Sequence, residues 1–366
     1  MTTTVPKIAV VLGTRPQFIE LAPIIHELQS NSRCDLYVYN TGQHYDREMS
    51  EVFMSQLEIP APQRSFGPSS GSHAEQTGRM MVEAEKGLAE DMPDLVVVEG
   101  DTNTALAAAL AAAKLKIPVA HVEAGCRAHD RSLPEEVNRT LISHMADLHC
   151  APTANCARNL KREGIARNVF QTGHPIVDSI GFVARQIAEP ARRRGSYYFM
   201  TLHRDFNVDD PARLQAIISQ AKGLDLPVCF AVHPRTAMRM KQFGIGAEGG
   251  SLEPMPPVDY VTSLRLTKHA RAVISDSGGL QKESAILGTP MVTVRPNTEW
   301  IETLHGYANQ LADDGDSSID IAGCVRRLND NYLKATKQAK ELRGVFGRRG
   351  VSKRIARLLT AYCRRL

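Results

Sequence analysis

Short apolar segments alternate with helix-length segments along this 366-residue chain, and the alternation occurs in two series. Aliphatic runs of three to five residues with this spacing are typical of parallel strands joined by crossover helices. The pattern therefore predicts an α/β protein with two Rossmann-like, doubly wound domains. The predicted strands of the first series are Ile8–Leu12, Leu36–Tyr39, Leu95–Val98 and Val119–Val122, and those of the second are Phe199–Leu202, Val228–Val232, Ala272–Ile274 and Met291–Val294.

Composition places the boundary between the two domains near residue 180. The segment 185–196 that follows holds Pro190 and a run of arginines, and it is typical of a linker. We expect one domain over residues 1–180 and the other over 181–366, with the last helix a candidate to pack back on the first domain. Because parallel sheets bind ligands beyond the carboxyl ends of their strands, we expect the domains to face each other across a cleft that holds the active site.

Charge and cysteine content narrow the class of protein. The 44 Lys and Arg residues against 40 Asp and Glu leave a net charge of +4, too little for a nucleic-acid-binding surface. The seven scattered cysteines lack a Cys-x-x-Cys pair, which favours a reducing compartment. Residues 1–6 have no signal pattern, and the longest apolar stretch is about half a membrane span. We therefore expect a cytoplasmic enzyme that binds neither nucleic acid nor membrane.

Acidic side chains follow two neighbouring strands of the first series. Asp101 comes after the third predicted strand and Glu123 after the fourth, while Glu135 and Glu136 follow Pro134, a residue favoured in the first turn of a helix. Helix capping accounts for Asp101 or for one of the two glutamates, but hardly for the whole cluster. Carboxylates crowded into a cleft have separated pKa values, so that one group donates a proton and another accepts it.

Basic side chains also follow predicted strands. Arg15 lies in a tight turn after the first strand and suits a phosphate or carboxylate, although pairing with a neighbouring acid is an equally good interpretation of that turn alone. His203 and His233 each follow a strand of the second series. A single His in such a place is more often structural, but two of them opposite an acidic domain favour a functional role.

The segment from Ser275 to Glu283 follows a strand of the second series and opens a helix. The glycines at 278 and 279 leave backbone N–H groups at the helix N-terminus accessible to a phosphate. Glu283 lies six residues after Ser277, a spacing that suits acceptance of ribose hydroxyls. The segment lacks the GxGxxG pattern and the Walker lysine. Acids in the first half and a phosphate-binding helix in the second indicate an enzyme that acts on a nucleotide sugar.

Seven motifs follow one another between residue 7 and about residue 311. They are Gly13-Thr14-Arg15-Pro16, Thr41-Gly42-Gln43-His44, Gly100-Asp101-Thr102, His121-Val122-Glu123-Ala124-Gly125, Pro134-Glu135-Glu136 with Asn138-Arg139, Asp276-Ser277-Gly278-Gly279 with Gln281 and Glu283, and Asn297-Thr298-Glu299-Trp300. In this order they resemble the non-hydrolysing UDP-N-acetylglucosamine 2-epimerases, which have the GT-B fold. The segment 71–77 and the Thr-Glu-Trp motif further resemble the branch that includes archaeal enzymes and epimerases of 2,3-diacetamido uronic acid sugars.

The resemblance implies reversible epimerisation at C2 of a UDP-2-acetamido sugar, with UDP-GlcNAc and UDP-ManNAc as the expected pair. In this family UDP leaves C1 as the C2 proton is lost, and re-addition to the resulting 2-acetamidoglucal gives the other epimer. The reaction requires no metal and no cofactor, and a homodimer is expected. The residues implied are Asp101, Glu123, Glu135 and His203 for catalysis, Arg15, Arg139, His233, Ser277, Gly278, Gly279 and Glu283 for substrate binding, and Gln43 and His44 for an allosteric or lid role.

Glu20 departs from the family pattern, which has Lys five residues after the Arg of the first motif. If Glu20 faces the diphosphate, it weakens UDP binding unless another cation compensates, or the enzyme acts on a different sugar. The candidates for such a cation are Arg127, Arg131 and Arg204. Alternatively, Pro23 delays the start of the helix to near Leu21, and Glu20 turns away from the site.

Four other functions stay open at this point. They are epimerisation of a UDP-2,3-diacetamido uronic acid sugar, a hydrolysing 2-epimerase, a GT-B glycosyltransferase, and a UDP-sugar-binding protein with weak activity. The cluster of acids argues against the glycosyltransferase. Glu20 is the only sequence feature that favours the weakly active protein.

Overall fold

The chain forms two compact units in a computed structural model. The structure describes residues 5–30, 34–43, 54–67, 71–315 and 318–365. Unit 1 consists of Met1–Ser179 together with Phe346–Leu366, and unit 2 consists of Ile180–Val345. The chain therefore leaves unit 1 before its last helix and returns to complete it.

Unit 1 is built on a seven-stranded parallel sheet with the strand order β3-β2-β1-β4-β5-β6-β7. The central strands β1, β4 and β5 are aliphatic and buried, as expected for a parallel sheet covered on both faces by helices. All four predicted strands of the first series are confirmed. The strands are β1 Lys7–Leu12, β2 Asp35–Asn40, β3 Arg64–Ser65, β4 Leu95–Glu99, β5 Val119–Val122, β6 Leu148–Ala151 and β7 Val169–Gln171.

Helices described in unit 1 pack against the strands of this sheet. The third of them is rich in Ala, and its buried Ala side chains pack against β1, β4 and Tyr39. Thr102 caps this helix by accepting the N–H of Ala105 at 3.1 Å, so Asp101 is not its cap. The helices are α1 Arg15–Ser30, α2 His73–Asp91, α3 Asn103–Lys114, α4 Pro134–Met145, α5 Ala154–Arg162, α6 Ile176–Phe182, which ends in unit 2, and α14 Val351–Cys363.

Helix α1 begins at Arg15, so the prediction that it starts near Leu21 is wrong. Pro23 lies inside the helix, where it removes one backbone hydrogen bond. The apolar face, which includes Phe18, Leu21 and Ile25, is fully buried, and this packing outweighs the missing bond. As a result Glu20 lies in the second turn of a continuous helix.

Helix α14 is joined to unit 1 by Asp178 of α6. The Asp178 carboxylate accepts the N–H of Gly350 and the N–H of Ser352, each at 2.7 Å, and so satisfies backbone donors at the start of α14. His174 N–H also donates to the carbonyl oxygen of Phe346 at 2.9 Å. The segment between β7 and α6 is thus bound to the returning chain.

Unit 2 is built on a six-stranded parallel sheet with the order β10-β9-β8-β11-β12-β13. Its strands are β8 Tyr198–Thr201, β9 Val228–Ala231, β10 Leu252–Met255, β11 Ala272–Ser275, β12 Met291–Thr293 and β13 Asn309–Leu311. Its helices are α7 Asp205–Val208, α8 Pro211–Lys222, α9 Pro234–Phe243, α10 Tyr260–His269, α11 Gly278–Leu287, α12 Ile321–Asp330 and α13 Tyr332–Glu341. The predicted strands of the second series are confirmed.

The segment 185–196, which has the composition of a linker, is packed within unit 2. Ile187 is buried, and Gly195 N–H donates to the carbonyl oxygen of His269 at 2.8 Å. In the described parts of both units, no helix is long and apolar enough to cross a membrane.

Candidate active site

The ends of β4 and β5 bring two of the predicted acids to one edge of the unit 1 sheet. These strands are paired, with Glu99 opposite Val122, so the turns that follow them are neighbours. Glu123 has a φ of 69°, a left-handed conformation that costs about 1–2 kcal/mol and is kept where surrounding contacts fix it. A Cβ at Gly100 would lie 4.0 Å from Glu123 Oε1, so the Glu123 carboxylate lies beside the turn that carries Asp101.

His121 of β5 fixes that turn from below. Its Nε2 lies 2.9 Å from the carbonyl oxygen of Gly100. Burial lowers the pKa of His121 to about 3, so the ring is neutral and donates an Nε2–H to this oxygen. His121 therefore supports the turn and carries no charge to the site.

Asp101 lies against helix α4 and is held there by two of its residues. Arg139 forms an ion pair with the Asp101 carboxylate, and Asn138 donates its side-chain N–H to the Asp101 backbone oxygen at 2.8 Å. Although 22% of the Asp101 side chain is exposed, lost hydration raises its pKa above the usual range. Arg139 opposes this shift, whereas the negative charges of Glu123 and Glu135 add to it. The three predicted acid/base residues are thus close enough to influence one another.

The two glutamates at the start of α4 have different environments. Glu136 is buried and accepts the backbone N–H groups of Ala128 and His129 at 2.9 and 3.0 Å, and it also binds Arg139 at 2.9 Å. Glu136 therefore fixes the preceding loop. Glu135 is half-buried, so part of its side chain is accessible to a ligand. Arg139, predicted to bind substrate, lies buried between Asp101 and Glu136 in this structure.

A second group of side chains joins Glu123 from inside unit 1. Glu20 of α1, Glu99 of β4, Glu123 and His174 each place one polar atom within 4.8 Å of the others. His174 Nε2 lies 2.5 Å from Glu123 Oε2 and 3.7 Å from Glu20 Oε2. Glu20 is only 3% exposed, so the alternative in which it turns away from the site is wrong. Three carboxylates and an imidazole are a donor set that also suits a divalent cation.

Sequence reasoning missed His174, although it has the same signal as the predicted residues. It comes three residues after the end of β7, at the edge of the sheet where Asp101 and Glu123 follow their strands. Of the three cations considered as compensation for Glu20, Arg127 is already bound by Glu163 at 2.7 Å, and Arg204 precedes α7. Arg131 is exposed.

In unit 2, Asp276 organises the turn after β8. Its buried carboxylate accepts the backbone N–H groups of His203 and Arg204 and the side-chain N–H of Asn207, at 2.9–3.2 Å. His203 Nδ1 lies 3.0 Å from the same carboxylate. Burial by itself raises the pKa of Asp276, but His203 and these hydrogen bonds outweigh it and lower the pKa to about 2. Asp276 was part of a predicted motif without an assigned role, and it orients His203.

The other predicted histidine lies beside His203. The two ring centroids, of His203 and His233, are 5.6 Å apart. His233 also caps α9, since its Nδ1 accepts the N–H of Arg235 at 3.2 Å. His233 therefore lies beside His203 and also has a structural role as the N-cap of α9.

Helix α11 begins with the predicted glycines. Ser277 caps it by accepting the N–H of Leu280 at 3.3 Å. Gly278 allows a close approach, because a Cβ there would lie 2.6 Å from Glu299 Oε1. Ser277, Gly278 and Gly279 are half-buried at the helix start, a geometry suited to an anion, while Glu283 is buried one turn later.

The remaining predicted residues belong to unit 1. Arg15 is the first residue of α1 and is half-buried. Gln43 accepts the backbone N–H and the hydroxyl of Thr104 at 2.9 and 2.7 Å, which ties it to the start of α3. His44 lies outside the described residues.

Two parallel sheets of this topology, with acids at one sheet edge and a glycine-opened helix in the other unit, define an α/β enzyme with the GT-B fold. A family model described as UDP-N-acetylglucosamine 2-epimerase matches residues 26–360. The chain therefore belongs to the UDP-N-acetylglucosamine 2-epimerase family, a family of isomerases.

Curated relatives and solved structures agree with this family. A UDP-N-acetylglucosamine 2-epimerase of Methanocaldococcus jannaschii is 39% identical over 97% of this chain and 99% of its own. A UDP-2,3-diacetamido-2,3-dideoxy-D-glucuronate 2-epimerase of Pseudomonas aeruginosa is 37% identical over 83% of this chain and 88% of its own. The crystal structure of the M. jannaschii enzyme in complex with UDP-GlcNAc and UDP matches with a TM-score of 0.85 and 38% identity, over 97% of this chain and 99% of that one.

Proposed function

We propose that this enzyme interconverts the C2 epimers of a UDP-2-acetamido sugar, with UDP-GlcNAc and UDP-ManNAc as the pair. The observation that carries the proposal is the group of acids at the edge of the unit 1 sheet, where Glu123 lies beside the turn of Asp101 and Asp101 is bound to Arg139 of α4, the helix that carries Glu135. Such a group supplies proton donors and acceptors at one place. The expected homodimer and the expected cytoplasmic location stay predictions.

The chemistry requires more than one acid/base group. The C2 hydrogen of an N-acetylhexosamine is not next to a carbonyl, so its direct removal is unfavourable. In the proposed reaction the bond from C1 to the UDP oxygen breaks as a carboxylate takes the C2 proton, which leaves a 2-acetamidoglucal and UDP. UDP then adds back to C1, and a proton is delivered to the opposite face of C2.

The environments of the acids suggest their roles. The raised pKa of Asp101 suits a group that exchanges a proton with the substrate, and Arg139 holds its carboxylate in place. Glu123 accepts a hydrogen bond from His174 and suits a group that accepts the C2 proton. Glu135 is the third candidate and is half-buried at the start of α4.

The groups of unit 2 suit the leaving diphosphate. Negative charge develops on UDP as its bond to C1 breaks, and donors already in place stabilise it. The N-terminus of α11 offers backbone N–H groups at Ser277, Gly278 and Gly279. His203, held by Asp276, is the proposed side-chain donor of this unit, and Glu283 is proposed to accept ribose hydroxyls. Arg15 of unit 1 is the other proposed side-chain donor.

Incubation with UDP-GlcNAc in heavy water tests the elimination mechanism. We expect deuterium to enter C2 of both recovered sugar nucleotides, because the removed proton exchanges with solvent before a proton returns. Mass spectrometry and proton NMR of the purified UDP-sugars measure the label. Turnover to the epimer without deuterium at C2 would contradict the mechanism.

Epimerisation of a UDP-2,3-diacetamido uronic acid is the second candidate, supported by the 37% identity to the P. aeruginosa relative. Comparison of kcat/KM for the two sugar nucleotides decides between them. Release of free sugar and UDP instead of an epimer would point to a hydrolysing enzyme. UDP-sugar binding without any turnover would favour a binding protein.

Glu20→Lys restores the lysine that the family pattern has at this position. The substitution distinguishes an effect of Glu20 on Glu123 from an effect of Glu20 on diphosphate binding. Glu20 lies beside His174 and close to Glu123, so a lysine there is expected to pair with Glu123 and favour its ionised form. We expect turnover to fall by about tenfold, because an ion-paired Glu123 is a weaker base. Initial rates and UDP affinity by calorimetry measure the effect. A gain in both would instead show that Glu20 compromises the diphosphate site.

A further inference from the structure

His174 is fixed in place by two contacts with Phe346. Its backbone N–H donates to the carbonyl oxygen of Phe346, and its ring packs edge-on against the Phe346 ring with centroids 6.0 Å apart. Gly173 allows this approach, since a Cβ there would lie 2.7 Å from the Phe346 oxygen. The imidazole is completely buried. A ring held this way has one orientation toward its polar neighbours.

The hydrogen bonds of the ring define where its proton lies. His174 Nδ1 accepts the backbone N–H of Ile176 at 3.2 Å, and a nitrogen that accepts a hydrogen bond carries no proton. The ring proton therefore lies on Nε2. Because Nε2 is 2.5 Å from Glu123 Oε2, the Nε2–H donates to this carboxylate.

We propose that His174 is a positioning residue for Glu123. By holding Oε2 it fixes the orientation of the carboxylate, whose Oε1 lies beside Gly100. Glu20 is 3.7 Å from the same Nε2, beyond hydrogen-bond distance, so the Nε2–H is directed to Glu123. His174 thus orients the base. This inference rests on the proposed role of Glu123 in the epimerisation.

The same geometry argues against a divalent cation at this cluster. A cation bound by the three carboxylates would take the Nε2 lone pair of His174 and leave the ring proton on Nδ1. That proton would then meet the N–H of Ile176, which points at Nδ1. The hydrogen bond from Ile176 therefore favours an Nε2–H donor over a metal ligand.

Two substitutions test the contacts of His174 Nδ1 and of His174 Nε2 one at a time. His174→Asn keeps an acceptor near the Nδ1 position for Ile176 N–H but has no group that reaches Glu123. His174→Gln places an amide N–H near the Nε2 position. We expect His174→Asn to lower kcat by about tenfold or more, with KM and thermal stability nearly unchanged, and His174→Gln to restore most of kcat. The reverse order, an active Asn variant and an impaired Gln variant, would overturn the proposal, because His174 would then serve only the turn at Ile176.

Nitrogen-15 NMR of the histidine-labelled enzyme tests the hydrogen bond without relying on activity. We expect a His174 ring with a protonated Nε2 and an unprotonated Nδ1, assigned by its absence from the His174→Gln spectrum, and a shifted Nε2–H in Glu123→Gln. A proton on Nδ1, or loss of the His174 signals on addition of Mn²⁺ alone, overturns the proposal in favour of a metal ligand. If no sugar nucleotide is epimerised but the expected spectrum is found, the proposed function fails and the assigned contact stands.

Discussion

Glu123→Gln is expected to lower turnover on UDP-GlcNAc by at least about 100-fold, the usual scale for loss of an acid/base group. The amide cannot take up the C2 proton, yet it keeps the size of the side chain and an oxygen for His174 Nε2–H. UDP affinity should change little, because Glu123 is not among the proposed UDP contacts. Initial rates from separated UDP-GlcNAc and UDP-ManNAc, with calorimetry for UDP, measure both quantities.

Matched substitutions control this experiment. Glu85→Gln makes the same chemical change on an exposed part of α2 and should leave turnover unchanged. Asp101→Asn and Glu135→Gln are expected to show losses of the same order as Glu123→Gln. Near-normal rates in all three variants would mean that the acids only stabilise the fold, and the proposed chemistry would then be wrong.

Asp276→Ala is expected to destabilise unit 2 by about 3 kcal/mol. The change leaves the N–H groups of His203, Arg204 and Asn207 without the buried carboxylate that accepts them. The single tryptophan, Trp300, is buried in unit 2, so its fluorescence during urea unfolding reports this unit separately. Activity should also fall, because His203 loses the group that orients it.

The pH dependence of the stability of unit 2 provides a second test of the stabilising role of the Asp276 carboxylate. Its pKa is about 2 in the folded protein against an ordinary 3.8, a difference that corresponds to about 2 kcal/mol of stability. Because the folded pKa is the lower one, this contribution is fully present well above pH 4 and is lost as the pH falls toward 2. Asp276→Asn should flatten the acid limb of the Trp300 unfolding profile. An unchanged acid limb would contradict the assigned role.

The strands were predictable from the sequence because aliphatic residues occupy their buried positions. In both units the central strands lie between layers of helices, so nearly every position is aliphatic and the run stands out from its surroundings. Asp101 and Glu123 were predictable for a related reason. Polar residues at strand ends are conspicuous after buried runs, and adjacent parallel strands end at the same sheet edge.

The environment of Glu20 depends on tertiary contacts that no local pattern contains. Pro23 suggested a late helix start, but burial of the apolar face of α1 decides the helix bounds. His174 belongs to a segment far along the chain from both Glu20 and Glu123, and only the tertiary fold of unit 1 brings the three together. Residue types alone also left the choice between Glu135 and Glu136 open, since it depends on which backbone N–H groups lie within reach.

The return of the chain to unit 1 has a consequence for the order of events during synthesis. Residues 346–366 emerge from the ribosome only after all of unit 2 has been made. Until then, the carbonyl of Phe346 and the backbone donors of α14 are missing from the neighbourhood of His174 and Asp178. Unit 2 is continuous in sequence and can fold as soon as it emerges, whereas unit 1 needs residues that are made after unit 2. The surroundings of the acid site are therefore completed only after unit 2 has been made, although Asp101 and Glu123 are made early.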